Sequence, residues 1–553
     1  MNKKVCSFPI LFALLALLIG TCAVVFPASA QAAPTSTGSI TVSGTVASSY
    51  DAYQIFSANV VDGDSDAKIA TDLAWANDAA RDAVLPALHS AGMPNSQTTA
   101  QEAVEWLNTD SHLTGALSAQ LARSLQSSGA VSVALNAGTA AELPCGYWLI
   151  VADDDAIAQG EAGTAPIMAL VGGSAVTVKP KAATPKVSKH VLEDSAAAWQ
   201  KAADATVGDD LYWRLSATVP AGLTAYDTYT VQFVDTMSAG LDPSKAAASM
   251  RVYVAAGADG GFDAVTCEGG NANSTLAKGW TDITSQCRVS VEGNAFTVRT
   301  GDLVAALGGA DAFAAGARVV AVYNAPLNSA CNHGIAKGNP NEVYLLYPRS
   351  PLADQSGDAG FTRTPSDDAC AYTWDLALTK RGSDGDKPLA GAVLSIADDR
   401  GRTLAADGTW DAEGKATVTT GEDGRVTVSG VDSGKLEVRE LKAPKGYTAF
   451  EGTRSVTVKA EGLDVDQVAA AKPKLTITAE SPLRADSADG STGSLEASLI
   501  NTPTGTPPSI TTGGFMPSTG DMAMYAAAAA AVAGAALIVV ALLVKRGGGS
   551  HKE

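Results

Sequence analysis

The chain has 553 residues, of which 46% are hydrophobic and 6% aromatic, and its formal net charge is −19. This length predicts three or four domains, and the apolar content indicates folded domains rather than a disordered chain. The acidic charge argues against a nucleic-acid partner, because a surface that follows phosphates needs clustered lysine and arginine.

The first residues predict a secretory signal peptide, residues 1–30. Lys3 and Lys4 precede an apolar core, and Ala28-Ser29-Ala30 provides an A-x-A cleavage site. A lipoprotein site at Cys22 is the less favoured alternative, since Thr21 fits poorly before the cysteine. We therefore expect an exported protein, and export permits disulfides.

Residues 31–181 predict a β-domain that carries a helical insertion. Stretches of alternating polarity near residues 38–42 and 50–56 indicate strands. Thr99 and Glu102 form a capping box ahead of an apolar face. Leucines then recur every four residues, which is typical of one face of a helix: Leu113, Leu117, Leu121 and Leu125.

Five cysteines remain after the signal peptide, and four of them allow three pairings. We prefer a Cys267–Cys287 disulfide, because these residues flank a Gly/Asn-rich excursion, with Cys331–Cys370 as the second pair. Cys145 would then be a small buried apolar side chain.

Two more β-domains follow, residues 182–351 and 371–503, both rich in period-two patterns and Gly/Asp turns. Residues 352–370 predict a polar linker, and residues 504–515 predict a Pro/Gly/Thr-rich spacer that cannot pack a core. The predicted fold is mainly β, with tandem Ig-like sandwiches.

The last of these domains directs three polar side chains toward its core. Alternate residues of a strand share a face, which places Lys380 with Leu376 and Leu378. By the same parity Glu440 and Asn501 also face inward. Such burial is costly unless the three groups meet, and the alternative is that the strand ends emerge into water.

The segments after two of these residues, PLAGA at 388–392 and APKGY at 443–447, resemble the Cna-B-type, prealbumin-like domains of Gram-positive pilins and adhesins. The resemblance spans 371–503 and implies an intramolecular isopeptide bond from Lys380 to Asn501, promoted by Glu440. Burial leaves a neutral amine beside a protonated acid, which can polarise the amide and relay protons. This is one self-reaction without turnover, so we do not expect an enzyme.

The middle domain resembles the fimbrial isopeptide-forming D2 domain. The resemblance lies in TPKVSKHV around Lys189, in VDTMSAGL around Asp235 and in GNPNEVYLLY at 338–347. It implies that Lys189 is the amine and Asp235 the matching acid. Family members continue with an Asn-Asn-Pro segment that supplies the acceptor, whereas this chain has Arg349 there, and a guanidinium cannot be acylated in this way. We therefore expect an Arg349–Asp235 ion pair in place of the bond.

Near its end the chain resembles the cell-wall sorting signal of Gram-positive surface proteins. The order is Met516-Pro517-Ser518-Thr519-Gly520, an apolar run at 522–544 and a short basic tail, within residues 516–553. The resemblance implies that a sortase cuts between Thr519 and Gly520 and passes the Thr519 carboxyl to an amine. A plain single-span membrane anchor is the alternative.

Lys179-Pro180-Lys181 resembles the pilin motif, whose lysine accepts the sortase-bound threonine of the next subunit. Lys181 is the predicted acceptor, with Lys186 and Lys179 as alternates.

Together these resemblances imply a backbone subunit of a sortase-assembled pilus on a Gram-positive cell wall. The partners would be sortase, further copies and other pilins, and peptidoglycan. The alternative is a singly anchored adhesin or minor pilin that binds a host surface ligand through the helical insertion. Scattered histidines and the lack of a hydrolase motif argue against an enzyme, and we expect no cofactor and no metal site.

Overall fold

The computed structural model describes residues 36–44, 46–64, 67–180, 184–257 and 279–505. The predicted signal peptide, Lys181, Cys267 and the sorting signal lie outside these residues. The described chain forms three β-rich domains in tandem, which confirms the predicted fold class. In this part of the chain no helix is both long and apolar enough to cross a membrane.

The N-terminal domain pairs its strands in two sheets, with the orders β5-β1-β8 and β3-β2-β6-β7, and β4 joins β2. The elements are β1 (Thr37–Val42), β2 (Ser49–Asp62), β3 (Lys68–Trp75), α1 (Asp78–Ser90), α2 (Ala100–Asn108), α3 (Gly115–Ser127), β4 (Val133–Asn136), β5 (Ala140–Pro144), β6 (Gly146–Ala152), β7 (Ile167–Val171) and β8 (Val176–Val178).

The helical insertion packs on the face of β2 and β6, where Phe56 and Leu149 belong to the same core as Leu121. The predicted capping box is present at α2, with Thr99 and Glu102 bonded reciprocally. Leu113 precedes α3 rather than joining it, because Thr114 caps the helix by accepting a hydrogen bond from the Leu117 N–H at 3.1 Å.

The middle domain is a sandwich of two sheets, with the orders β10-β9-β12-β18-β14-β15 and β11-β21-β19-β13-β17-β16, and β20 joins β19. The elements are β9 (Lys186–Glu193), β10 (Ala198–Gln200), β11 (Ala202–Asp204), β12 (Tyr212–Val219), β13 (Gln232–Met237), α4 (Pro243–Ser249), β14 (Arg251–Ala256), β15 (Trp280–Asp282), β16 (Arg288–Glu292), β17 (Ala295–Arg299), α5 (Leu303–Ala306), α6 (Ala310–Ala314), β18 (Ala317–Asn324), β19 (Asn339–Pro348), β20 (Phe361–Arg363) and β21 (Asp367–Tyr372).

The predicted linker at 352–370 is wrong in its second half. Strand β20 pairs with β19, and β21 lies between β19 and β11 inside the middle sandwich. In β21 the side chains from Ala369 to Tyr372 are buried on both faces of the strand. Such a strand has no alternation of polar and apolar residues, so the period-two pattern cannot predict it. The middle domain therefore extends to Tyr372 and leads almost directly into the next strand.

The C-terminal domain is a second sandwich, with the orders β27-β22-β33-β29 and β25-β24-β23-β28-β30-β31; β32 joins β33 and β26 joins β23. The elements are β22 (Trp374–Gly382), β23 (Val393–Ala397), β24 (Thr403–Leu404), β25 (Trp410–Asp411), β26 (Val418–Thr419), β27 (Arg425–Val431), β28 (Gly434–Lys442), β29 (Tyr447–Thr448), β30 (Thr453–Glu461), β31 (Lys474–Ala479), β32 (Leu483–Asp489) and β33 (Ser494–Pro503).

Candidate cross-linking sites

The first and last strands of the C-terminal domain lie side by side. Strand β22 pairs in parallel with β33, with Lys380 opposite Leu499 and Gly382 opposite Asn501. Glu440 lies on β28 of the facing sheet. The structure thus brings together the three residues that the alternation of the strands had directed inward.

The Glu440 carboxylate lies next to both the lysine amine and the asparagine amide of this site. Asn501 Nδ2 donates to Glu440 Oε1 at 2.9 Å and to Oε2 at 3.0 Å. Lys380 Nζ lies 3.8 Å from Oε1 and donates to the Leu499 carbonyl at 3.0 Å. The amine and the carboxamide therefore share one acid as neighbour, which is the arrangement that acid-assisted amide exchange requires.

Burial sets the electrostatics of this site. Lys380 is 0% exposed and Asn501 2% exposed. Burial lowers the pKa of Lys380 from 10.5 to about 8, and the nearby Glu440 carboxylate opposes part of this shift. A neutral amine, which is the nucleophilic form, is thus accessible near neutral pH. The Asn501 Oδ1 atom has no hydrogen-bond partner, so the amide carbonyl is held only through its nitrogen.

A second buried site lies between the two sheets of the middle domain. Lys189 on β9 projects from one sheet, and Asp235 on β13 projects from the other; both are 0% exposed. Lys189 Nζ forms an ion pair with Asp235 Oδ2. Tyr323 Oη accepts a hydrogen bond from Lys189 Nζ at 2.9 Å and donates one to Asp235 Oδ2 at 2.9 Å.

Burial pushes both charged groups of this pair toward their neutral forms. It lowers the pKa of Lys189 from 10.5 to about 8, although Asp235 opposes the shift. It likewise raises the pKa of Asp235 above 3.8, against the effect of Lys189. The aromatic rings of Trp213 and Tyr323, whose centroids lie 5.6 and 5.5 Å from Lys189 Nζ, keep water from the amine.

Asn341 completes this site, and sequence reasoning missed it. It is 0% exposed on β19, and its Nδ2 donates to Tyr323 Oη at 2.9 Å, while its Oδ1 has no partner. Val343 pairs directly with Asp235, so Asn341, two residues earlier, shares the inward face. The signal was available, because Asn341 has the parity of Val343 and lies within GNPNEVYLLY.

The predicted Arg349–Asp235 ion pair is wrong. Strand β19 ends at Pro348, and Arg349 lies six residues beyond Val343, about 20 Å along a strand. The Arg349 guanidinium instead donates to the Asp154 carbonyl of the N-terminal domain at 3.1 Å. It therefore contributes to a contact between domains rather than to the buried site.

The predicted Cys331–Cys370 disulfide is wrong. Cys331 and Cys370 are free thiols. Cys331 Sγ lies 3.6 Å from His333 Nε2, whereas Cys370 Sγ faces the Ala371 carbonyl, so the two sulfur atoms have different neighbours. The Cys267–Cys287 pair stays a prediction, since Cys267 lies outside the described residues. Cys145 is buried beside Ala58 and Val60, as expected.

Of the candidate acceptor lysines, Lys179 and Lys186 are described, and both are exposed. Lys179 lines a groove of about 540 Å³ between the N-terminal and middle domains, together with Ile167, Leu223 and Tyr226. Within the described ranges, no group of His, Cys, Asp and Glu side chains has an arrangement that could hold a metal ion.

Comparisons with known proteins give a family match within the C-terminal domain. Residues 375–472 match the family model of the SpaA prealbumin-like fold domain. The chain is 30% identical over 143 residues to the trypsin-resistant surface T6 protein of Streptococcus pyogenes serotype M6, and the match spans 24% of each protein. The chain therefore aligns with only about a quarter of that relative.

Solved structures of other proteins also match this chain at low sequence identity. The T6 backbone pilin of serotype M6 Streptococcus pyogenes matches with a TM-score of 0.45 and 17% identity, over 85% of this chain and 98% of that one. The full-length major pilin SpaD from Corynebacterium diphtheriae matches with a TM-score of 0.41 and 15% identity, again over 85% and 98%. The family match confirms the predicted prealbumin-like fold for residues 375–472.

Proposed function

We propose that this chain is a structural subunit of a Gram-positive surface pilus, strengthened by two internal Lys–Asn isopeptide bonds. One bond would join Lys380 to Asn501, and the other Lys189 to Asn341. The observation that supports this best is that a lysine, a carboxylic acid and an asparagine meet in the core of both sandwiches.

The two bonds would form by the same chemistry. The neutral lysine nitrogen attacks Cγ of the asparagine, the N–C bond of the carboxamide breaks, and ammonia leaves. One proton moves from the lysine nitrogen to the departing nitrogen through the acid. No oxidant or cofactor is required, and each bond removes one ammonia from the mass of the chain.

Intact-mass analysis of the exported chain tests the bonds. The wild-type protein should lack two ammonia masses. Asn501→Ala and Asn341→Ala should each lack only one, and digestion should yield the corresponding branched peptide in the other domain. Arg349→Ala is the matched control and should retain both losses. A wild-type mass equal to that of the linear chain would refute both bonds.

The proposal also includes covalent assembly of the pilus from copies of this chain. A sortase would cleave after Thr519 and transfer its carboxyl to a lysine of the next copy, and the last copy would be joined to peptidoglycan. One amine and one acyl group at different ends of each copy make an open, head-to-tail filament. The order of motif, apolar run and basic tail in 516–553 supports this step.

Co-expression with a pilin sortase tests assembly on denaturing gels. We expect a ladder of covalent polymers that Thr519→Ala abolishes. Lys181→Ala, Lys179→Ala and Lys186→Ala, made separately, should identify one acceptor, and the other two variants serve as controls. A single band with the wild-type chain would instead favour a singly anchored adhesin or minor pilin.

A further inference from the structure

The Tyr323 hydroxyl lies at the centre of the middle-domain site. Tyr323 is 1% exposed on β18, in the sheet opposite Asp235 and Asn341. Its Oη atom is 2.9 Å from each of three groups: Lys189 Nζ, Asp235 Oδ2 and Asn341 Nδ2. These are the nucleophile, the acid and the leaving nitrogen of the proposed bond.

The C-terminal site has a different arrangement. There the Glu440 carboxylate accepts directly from Asn501 Nδ2 with both oxygens. Asp235 is one methylene shorter, and among the hydrogen bonds of the described residues none joins it to Asn341. The gap between acid and amide in the middle domain is bridged by Tyr323 Oη, which is bonded to both.

We propose that Tyr323 is a catalytic residue of the middle-domain bond, relaying the proton between Asp235 and the departing nitrogen of Asn341. This inference rests on the proposed Lys189–Asn341 bond and adds a component that the C-terminal site does not use. In the C-terminal domain Glu440 alone would transfer the proton to the asparagine nitrogen. In the middle domain Asp235 and Tyr323 would share this task.

The relay conserves atoms and charge. Lys189 Nζ attacks Asn341 Cγ and gives a proton to Asp235. Once protonated, Asp235 donates to Tyr323 Oη instead of accepting from it, and the Tyr323 hydroxyl turns toward Asn341. Tyr323 Oη then takes the proton of Asp235 while it gives its own proton to Asn341 Nδ2. The Cγ–Nδ2 bond breaks, ammonia leaves, and Asp235 and Tyr323 end in their starting forms.

The environment of Tyr323 suits a group that transmits a proton without keeping a charge. Burial and the neighbouring Asp235 raise the pKa of Tyr323 well above 10.0. The phenol therefore stays protonated at neutral pH and is ready to donate. Its ring packs edge-on against Phe296, with centroids 5.0 Å apart, which holds the hydroxyl in place.

The experiment follows both bonds by intact mass during cell-free synthesis of the full chain. Tyr323→Phe should slow loss of the middle-domain ammonia by about 100-fold, the usual scale of general acid catalysis. The Lys380–Asn501 bond of the same molecule serves as an internal reference and should form at the wild-type rate. Tyr229→Phe, another buried tyrosine of the same core, is the matched control and should leave both rates unchanged.

The double variant Asp235→Glu with Tyr323→Phe separates a relay from a packing role. Glutamate can reach the amide directly, as Glu440 does, so this variant should recover most of the lost rate. Middle-domain bond formation by Tyr323→Phe at the wild-type rate, or failure of the glutamate to restore it, would overturn the proposal. A wild-type chain that never loses the middle-domain ammonia would instead refute the Lys189–Asn341 bond itself.

Discussion

Among the described residues, Lys189 and Lys380 are buried deeply enough that a fraction of each amine is neutral near neutral pH. Lys189 and Lys380 are both 0% exposed, and burial lowers the pKa of each to about 8. The carboxylic acid beside each amine opposes this shift only in part. A residue that is ordinarily a solvated cation is thereby converted into a nucleophile.

This shift predicts how the rate of bond formation at Lys380 depends on pH. Only the neutral amine attacks, so its fraction, and with it the rate, should rise about tenfold per pH unit below pH 8 and then level off. Intact-mass time courses of freshly synthesised chain at pH 6, 7, 8 and 9 measure this. Lys380→Ala provides the baseline, and a rate independent of pH between 6 and 8 would contradict the expectation.

At this scale the sequence predicted Lys380, Glu440 and Asn501 because each continues an alternating strand. It missed Asn341, the acceptor that we propose for the middle domain, because the resemblance placed the acceptor after the strand, where this chain has Arg349. Parity alone identifies every second residue and cannot say which of them is level with the acid. The structure supplies that information: β13 pairs Asp235 with Val343, and Asn341, two residues earlier, reaches the acid through its hydrogen bond to Tyr323 Oη.

At the scale of elements, the proposed bonds differ in what they connect. Lys380 and Asn501 lie on adjacent parallel strands, which are the first and last of their domain. A bond there lets tension pass from one end of the domain to the other without loading the remaining strands. Lys189 and Asn341 lie on opposite sheets, so their bond would fix the two layers of the middle sandwich together.

Loss of the bond between β22 and β33 should destabilise the C-terminal domain. Closing a loop of this length is worth about 4–5 kcal/mol if the estimate for disulfides applies. Asn501→Ala should therefore lower the unfolding temperature of this domain markedly in differential scanning calorimetry.

Glu440→Gln is the matched variant of this experiment, since it keeps Asn501 but removes the acid. It should form no bond and unfold near the temperature of Asn501→Ala. The middle-domain transition should stay unchanged in both variants. An unfolding temperature equal to that of the wild type would show that the bond does not carry the stability of the domain.

Elements with strong local signals were predicted well. The capping box of α2 and the buried leucines of α3 follow from side chains within one helical turn of each other. Strand β21 was missed because Asp367 and Asp368 make its start polar. Its later residues are buried on one face by the middle-domain core and on the other by the C-terminal core. That burial depends on distant segments, which local patterns cannot reveal.

At the scale of the whole molecule, the middle and C-terminal domains are joined without a flexible linker. Asp204 Oδ2 accepts from Trp374 Nε1 at 2.6 Å and from the Ser433 N–H at 2.9 Å. Across the same joint Arg402 Nη2 donates to Asp209 Oδ2 at 2.7 Å. Backbone bonds add to these contacts, including Val207 N–H to the Gly430 carbonyl at 2.8 Å. The two sandwiches are therefore joined by direct side-chain and backbone hydrogen bonds, through which we expect tension to pass.

This joint contains buried carboxyl groups whose titration should affect its stability. Burial and then the adjacent Asp204 raise the pKa of Glu193 from 4.5 to about 7. Burial raises the pKa of Asp432 well above 3.8, and the carboxylates of Asp204, Asp194 and Glu193 add to this shift. The folded joint thus keeps a proton on Glu193 at pH values where the unfolded chain has lost it.

The sign of the pH dependence follows from that difference. The stabilisation from proton binding is fully present below about pH 4.5 and is lost as pH rises through about 7. Calorimetry of the full chain should therefore give an unfolding temperature for the joined domains that falls by several degrees between pH 5 and pH 8. Glu193→Gln cannot ionise and should flatten this slope, whereas Glu342→Gln, at an exposed position, should keep it. If the unfolding temperature of Glu193→Gln depended on pH as steeply as that of the wild type, Glu193 would not be the group responsible. The stabilisation in acid would then have to come from another carboxyl group.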